Sequence, residues 1–505
     1  MNAIDSRLRV TAVFWLGVAC LFSVFIAYMF ATDIAGVLLV VAGVGWLVLL
    51  PYHTQLSAML SMATFSSALI VPFFPGRPFF WEFAALLAWS GLVITISLRR
   101  YAEDSARVFQ ENKWLFVGVI GYCAVLLVTM VYRGVGLRIF GGEQMGGRSY
   151  FQQLACAIFP FLFLLCRLDR QTMVKLFIFQ CLLTSTFLVS DFVFSRASQV
   201  FFPILQFFEL PNDAVNFEAQ SLRHGIRRFQ SLGTFGQGMI VLLLVLVPLR
   251  SFLSTRGFFL VPATVGLLGM GVLSGHRYLI LIVGITFIFC MAGQRMFNVR
   301  KMILIGFVML IGLGLTYLAA PNLPLAAQRS VSFLPGIQVD AGAKADASVT
   351  LFVRERLRTT GMAMIPDYLW MGRGFGMSSL TDYSLFWDPT TITLHVNQGR
   401  FYNGFIGLMV NTGVVGTFFM MMFLFSGTAT ALKVIFGYPQ EHYESQFHRL
   451  ACVVASLWMA NTLAFLFFHG DSEWAMKTFA LQAGLLLSCK ALLNMEERQG
   501  APETA

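Results

Sequence analysis

Charge is scarce in this chain, and so are most of the side chains that perform chemistry. Of 505 residues only 12% are charged, with seven histidines and eight cysteines. Set against 57% hydrophobic residues and a mean hydropathy of +0.73, this excludes a soluble globule, and no nucleic-acid partner is expected. The cysteines (Cys20, Cys123, Cys156, Cys166, Cys181, Cys290, Cys452 and Cys489) lie in or beside apolar runs. None falls in the long polar segment 321–402 and none forms a Cys-x-x-Cys pair, so neither a disulfide framework nor a zinc site is expected. There is also no Asp-x-Asp motif and no His/Asp cluster at metal spacing, so neither metal nor cofactor is predicted.

What is present is hydrocarbon in lengths that cross bilayers. A core of about 30 Å needs roughly 20 apolar residues per helix. Such runs occur near 10–30, 34–51, 56–74, 79–98, 114–132, 149–166, 174–194, 235–253, 257–274, 278–292, 302–320, 403–426, 450–468 and 474–494. The expected fold class is therefore all-α and polytopic, with about fourteen transmembrane helices, between twelve and fourteen. Residues 1–320 would hold the first eleven, 321–402 a periplasmic loop domain with an amphipathic helix, and 403–505 the last three and a cytoplasmic tail.

Basic residues in short loops orient the chain. Arg7, Arg9, Arg99, Arg100, Arg107, Lys113, Arg167, Arg170, Lys175, Arg250, Arg256, Arg295, Arg300 and Lys301 fall on one side, expected to be cytoplasmic together with both termini. The opposite loops carry arginine almost exclusively, with Lys344 as the single loop lysine. Arginine's planar fork grips phosphate or carboxylate bidentately, so this bias suggests an anionic ligand outside. Anchoring to lipid headgroups is the bland account.

The outer cations cluster in three places. Arg223, His224, Arg227 and Arg228 lie within a turn and a half, with Arg223 and Arg227 on one face if helical. Arg277, in LSGHRYLILIVG, stands at the head of an apolar span, where an arginine usually faces a partner or a wet cavity unless it snorkels to the headgroups. Segment 321–402 is too long for a passive connection. Its first part, to Ser348, is Pro-, Gly- and Ala-rich and reads as irregular; helical spacing begins at Val349, with Val353, Leu357, Met364 and Tyr368 on one stripe. On that helix Arg354 and Arg358 share a face and Arg356 points away, so the first two could bracket a pyrophosphate. Glu355 and Asp367 read as ion-pair partners.

The order of motifs resembles the O-antigen ligase and O-antigen polymerase superfamily of bacterial membrane glycosyltransferases. Arg354 lies eighteen residues before Gly372, which opens the turn Gly372-Arg373-Gly374-Phe375-Gly376. Tyr402-Asn403-Gly404-Phe405-Ile406 opens the next span and Gly413-Val414-Val415-Gly416 continues it. Ser274-Gly275-His276-Arg277 is similar to the family's Ser-Arg turn, and Arg228 with Gly233-Thr234-Phe235-Gly236 to its Arg…Gly-Thr-Phe-Gly element. The resemblance covers about 225–420. The chain departs from it at Arg358, where the family has Trp, at Tyr402, where it has His, and at Asn411, where it has an acidic residue.

That resemblance implies attack of an acceptor hydroxyl on the anomeric carbon of a polyprenyl-pyrophosphate-linked glycan, without metal, at the periplasmic face of the inner membrane. The acceptor would be another glycan or lipid A-core. It also implies arginines on the leaving pyrophosphate: Arg277 and Arg354 first, Arg358, Arg228, Arg223 and Arg373 as helpers, with Asn403 in the substrate site. His395 is the expected base if its loop folds back, Tyr402 an orienting group and His224 the second candidate base. A transporter or flippase for a lipid-linked glycan is the alternative.

Overall fold

The computed structural model describes residues 40–41, 43–45, 48, 52–72, 77–97, 102, 104–135, 147–196, 202–209, 229–254, 257–275, 277–375, 392, 395–396, 398–438 and 440–500. Within them the chain is helical, with isolated bridges at Leu69–Phe208 and Ile70–Phe79 in place of any strand. The principal helices are α1 (His53–Thr64), α2 (Phe80–Ser97), α3 (Lys113–Arg133), α4 (Arg148–Leu165), α5 (Arg170–Val193), α6 (Gln230–Leu246), α7 (Gly257–Leu273), α8 (Arg277–Gly293), α9 (Val299–Ala319), α10 (Leu325–Val331), α11 (Ala341–Met364), α12 (Gly404–Phe436), α13 (Gln446–Leu463) and α14 (Ala475–Gly500).

Among the described residues eight helices are long and apolar enough to cross a membrane: α2, α3, α4, α5, α9, α12, α13 and α14, the second-last extended by a π turn to Phe468. Shorter apolar helices are α6, α7 and α8. The runs at 10–30 and 34–51 fall almost wholly outside the described residues. The run at 56–74 is corrected: its helix spans only His53–Thr64, because the following residues turn and bond instead to 204–209 and to the strand-like 78–80.

Segment 321–402 also begins differently from its composition. It is helical at Leu325–Val331, and α11 starts at Ala341 rather than Val349. The reason is a cap. The Asp340 carboxylate accepts from the Gly342 and Ala343 N–H groups, and the alanine-rich stretch that follows is strong helix former. Glu355 and Asp367, read as ion-pair partners, stand exposed on the surface. Leu357 is fully buried and Arg356 exposed, as the stripe requires.

The core lies where α12, α13 and α14 meet α3, α4 and α8, around Trp458, Phe423, Phe479 and Phe159. Contacts sort the polar ends of these helices into two sets. Arg133 reaches the Gly372 carbonyl (3.1 Å), Arg148 pairs with Glu82 (3.1 Å) and Arg400 with Glu473 at one end. Arg167 pairs with Asp104, Arg170 with Glu496 (3.1 Å) and Lys490 with Glu111 (3.6 Å) at the other. This is the alternation that the loop charges demand.

Candidate functional site

The first of these ends gathers most of the site residues expected from the sequence that the structure describes, and a broken helix builds it. Inside α12, Gly413 has φ 68° and ψ −176°. A Cβ there would come within 2.3 Å of the Trp370 carbonyl, so only glycine fits. The break exposes backbone that residues 369–374 then satisfy: Val414 donates to the Leu369 carbonyl (2.7 Å), Arg373 to Val410 (2.7 Å) and Gly374 to Asn411 (2.9 Å). Gly372, at φ +71°, lets the two backbones meet. The Gly-rich turn noted in the sequence is thus a seam with α12.

From this seam the chain is led to the site. The Arg373 guanidinium donates to the Val396 carbonyl (2.6 Å), fixing the segment that bears His395. Asn411, fully buried, donates to the Gly399 carbonyl (3.0 Å) and Ser472 Oγ (2.8 Å), tying that segment to the α13–α14 turn. The loop does fold back: the His395 ring lies 5.4 Å from that of Tyr402. Tyr402 takes a left-handed φ of 51°, uncommon for a non-glycine residue. Asn403 then caps α12, its Oδ1 accepting from the Ile406 N–H (3.0 Å).

Tyr402 is the hub. Its ring stacks on His469 (5.2 Å, 17°), and the Arg354 guanidinium sits 5.1 Å from its centroid. His469 also meets Tyr278 of α8 edge-on at 5.0 Å. The Tyr402 N–H donates to Asp471 Oδ1 (3.3 Å). Burial pushes the Tyr402 phenol up to about 12, with Asp471 adding to the shift and Arg400 and Arg354 opposing it.

Arg277 opens α8 beside this group. It donates to the Arg329 carbonyl (2.9 Å) and Ser332 Oγ (3.0 Å) and lies 5.7 Å from the Phe333 ring. Burial holds the Arg277 guanidinium below its ordinary value, with the Arg354 charge adding to the shift and Asp346 partly offsetting it. Arg329, buried, holds α10 against its neighbours through Asp346, Thr350 and the Gly275 carbonyl. Arg358 donates to the carbonyls of Phe468 (2.8 Å) and Tyr402 (3.4 Å). It clamps the end of α13 to the Tyr402 turn, and its neutral acceptors leave its charge uncancelled.

The structure therefore brings Arg277, Arg354, Arg358, His395, Tyr402 and Asn403 to one end, with Arg373 behind them as a brace. Arg223, Arg228 and His224 lie outside the described residues. Reading the sequence missed the turn His469-Gly470-Asp471-Ser472-Glu473. Burial raises the Asp471 carboxyl above the ordinary range, while Arg400, the Tyr402 N–H, His395 and Arg354 pull it down. The available signal was a five-residue polar run between two apolar spans.

Below Asn403 an apolar cavity of about 490 Å³ runs between α12 and α13, lined by Phe405, Phe425, Met459, Leu463 and Phe467. Several of these rings are exposed on its outer side, Phe467 by 64% and Phe425 by 58%. No cluster of His, Cys, Asp or Glu fit to hold a metal occurs among the described residues. A scan against protein-family models found no match, and a search of curated proteins found no similar chain.

Proposed function

We propose that this chain is a membrane glycosyltransferase that moves a glycan from a polyprenyl-pyrophosphate donor to an acceptor hydroxyl. The observation that carries the reading is one juxtaposition. Arg354 of α11 stands 5.1 Å from the ring of Tyr402, whose neighbour Asn403 opens a greasy cavity, and Arg277 at the head of α8 is near enough to feel the Arg354 charge. Like charges are costly to gather unless an anion belongs among them, and the cavity has the character of an isoprenoid chain. The guanidiniums would take up the charge that develops on pyrophosphate as the glycosidic bond breaks.

On this reading the site end faces the periplasm, the membrane is the bacterial inner membrane, and both termini are cytoplasmic. Reporter fusions at 135 and 322 should then read outside, and one at 254 inside. The acceptor is a growing glycan or lipid A-core, and Tyr402 in the family's histidine position favours the glycan. Deleting the gene and resolving the surface polysaccharide on a gel tests the whole. Single-repeat products indicate a polymerase; lipid-linked polymer with a bare core indicates a ligase. Arg277→Ala and Arg354→Ala should reproduce the deletion while the protein stays in the membrane. Unchanged glycans in both variants would end the proposal.

A further inference from the structure

The acid at the centre of the cluster has no part in the scheme above. Three other carboxylates at this end are engaged: Glu82 by Arg148, Asp346 by Arg329, and Glu473 by Arg400 and the Trp474 indole (2.8 Å). Asp471 instead accepts one backbone N–H, from Tyr402, and among the described residues makes no direct ion pair. The groups facing it are Arg354 from α11, His395, Arg400 and Tyr402 from the outer segment, and Tyr278 from α8. Asp471 itself is of intermediate burial, at the turn between α13 and α14.

Resting on the transferase reading, we propose that Asp471 is the general base of the transfer. Its carboxylate takes the acceptor's hydroxyl proton as that oxygen bonds to the anomeric carbon. The bond from that carbon to the pyrophosphate breaks, and its electron pair leaves with the phosphate. Three features support this choice, beside its place against the Tyr402 N–H. Tyr402, with its phenol near 12, holds its proton at neutral pH. Burial raises the Asp471 carboxyl, which makes it a stronger base than an ordinary carboxylate. A pyrophosphate settling on Arg354 would cancel a charge that now holds Asp471 down, so donor binding itself strengthens the base.

The test uses the full-length protein in lipid nanodiscs. Its donor is the lipid-linked glycan extracted from cells lacking the gene, and polyprenyl pyrophosphate serves as binding probe. Asp471→Asn keeps an oxygen for the Tyr402 N–H but loses the base. We expect turnover to fall by about 10²–10⁴-fold, the usual range for a lost acid–base group, with probe binding within about twofold of the parent. Asp471→Glu should restore part of the rate, and the parent's kcat/KM should fall on the acid side as one carboxyl protonates. Should Asp471→Asn fail to fold, that acid limb decides alone, and its absence rejects the base. If Asp471→Asn turns over normally while Arg277→Ala is dead, the base is wrong and the transferase stands. If Arg277→Ala and Arg354→Ala also bind and turn over normally, the transferase itself falls.

Discussion

The two polar ends of this bundle hold comparable numbers of cations and use them in opposite ways. Beyond the start of α13, buried Arg449 gives Nε to the Val245 carbonyl (2.8 Å), one terminal nitrogen to Tyr443 (2.9 Å) and Glu444 (2.6 Å), and the other to Leu246 (3.0 Å). It closes the C-terminus of α6, where unpaired carbonyls and the helix dipole welcome a cation. Arg250 pairs with Glu444 beside it, and the cavity there, about 710 Å³, is the larger of the two. Yet that cavity is bordered by a cation whose donors are spent. At the other end Arg354 faces the Tyr402 ring, Arg277 repels it, and the acid Asp471 feels its charge. Cavity size and cation density therefore do not separate the two ends; what surrounds the cations does.

That contrast can be broken at several points. The largest effect expected is on turnover: Arg354→Ala should abolish glycan transfer while the melting temperature in detergent moves by no more than about 2 °C. Arg449→Ala should do the reverse. Stripping four carbonyls of a charged donor costs roughly 3–5 kcal/mol, so the protein should melt early and express poorly. A stable Arg449→Ala protein without activity would invert the assignment of the two ends. Next comes Gly413→Ala, where a strained φ of about 1–3 kcal/mol and a blocked Trp370 carbonyl should lower the melting point and the activity together. Smallest of all, Arg356→Ala should change neither glycans nor melting by a measurable amount, since that side chain is exposed on the far face of α11. A phenotype there would show that surface charge alone matters.

Much of the scaffold was legible because apolar runs announce their own length. Alternating loop charges sorted the arginines to two sides, and the contacts of Arg148 with Glu82 and of Arg170 with Glu496 group them in the same way. The stripe on α11 was legible too, and with it the facing of Arg354 and Arg358 against Arg356. The start of α11 was hidden because glycine near a loop suggests disorder, while the Asp340 cap works through geometry that composition does not record. Arg358 and Arg373 looked like ligand groups; folded, they grip carbonyls of segments 110 and 23 residues away. Asp471 was overlooked for a related reason: five residues between spans look like a turn until other loops converge on them.

The break at Gly413 has a mechanical corollary. A flap fastened only at its two ends can be lifted, but residues 369–374 are sewn into the first third of the long apolar rod α12 by three backbone hydrogen bonds. Raising the outer segment would unpick that rod. Residues 369–374 are thus masonry rather than a door.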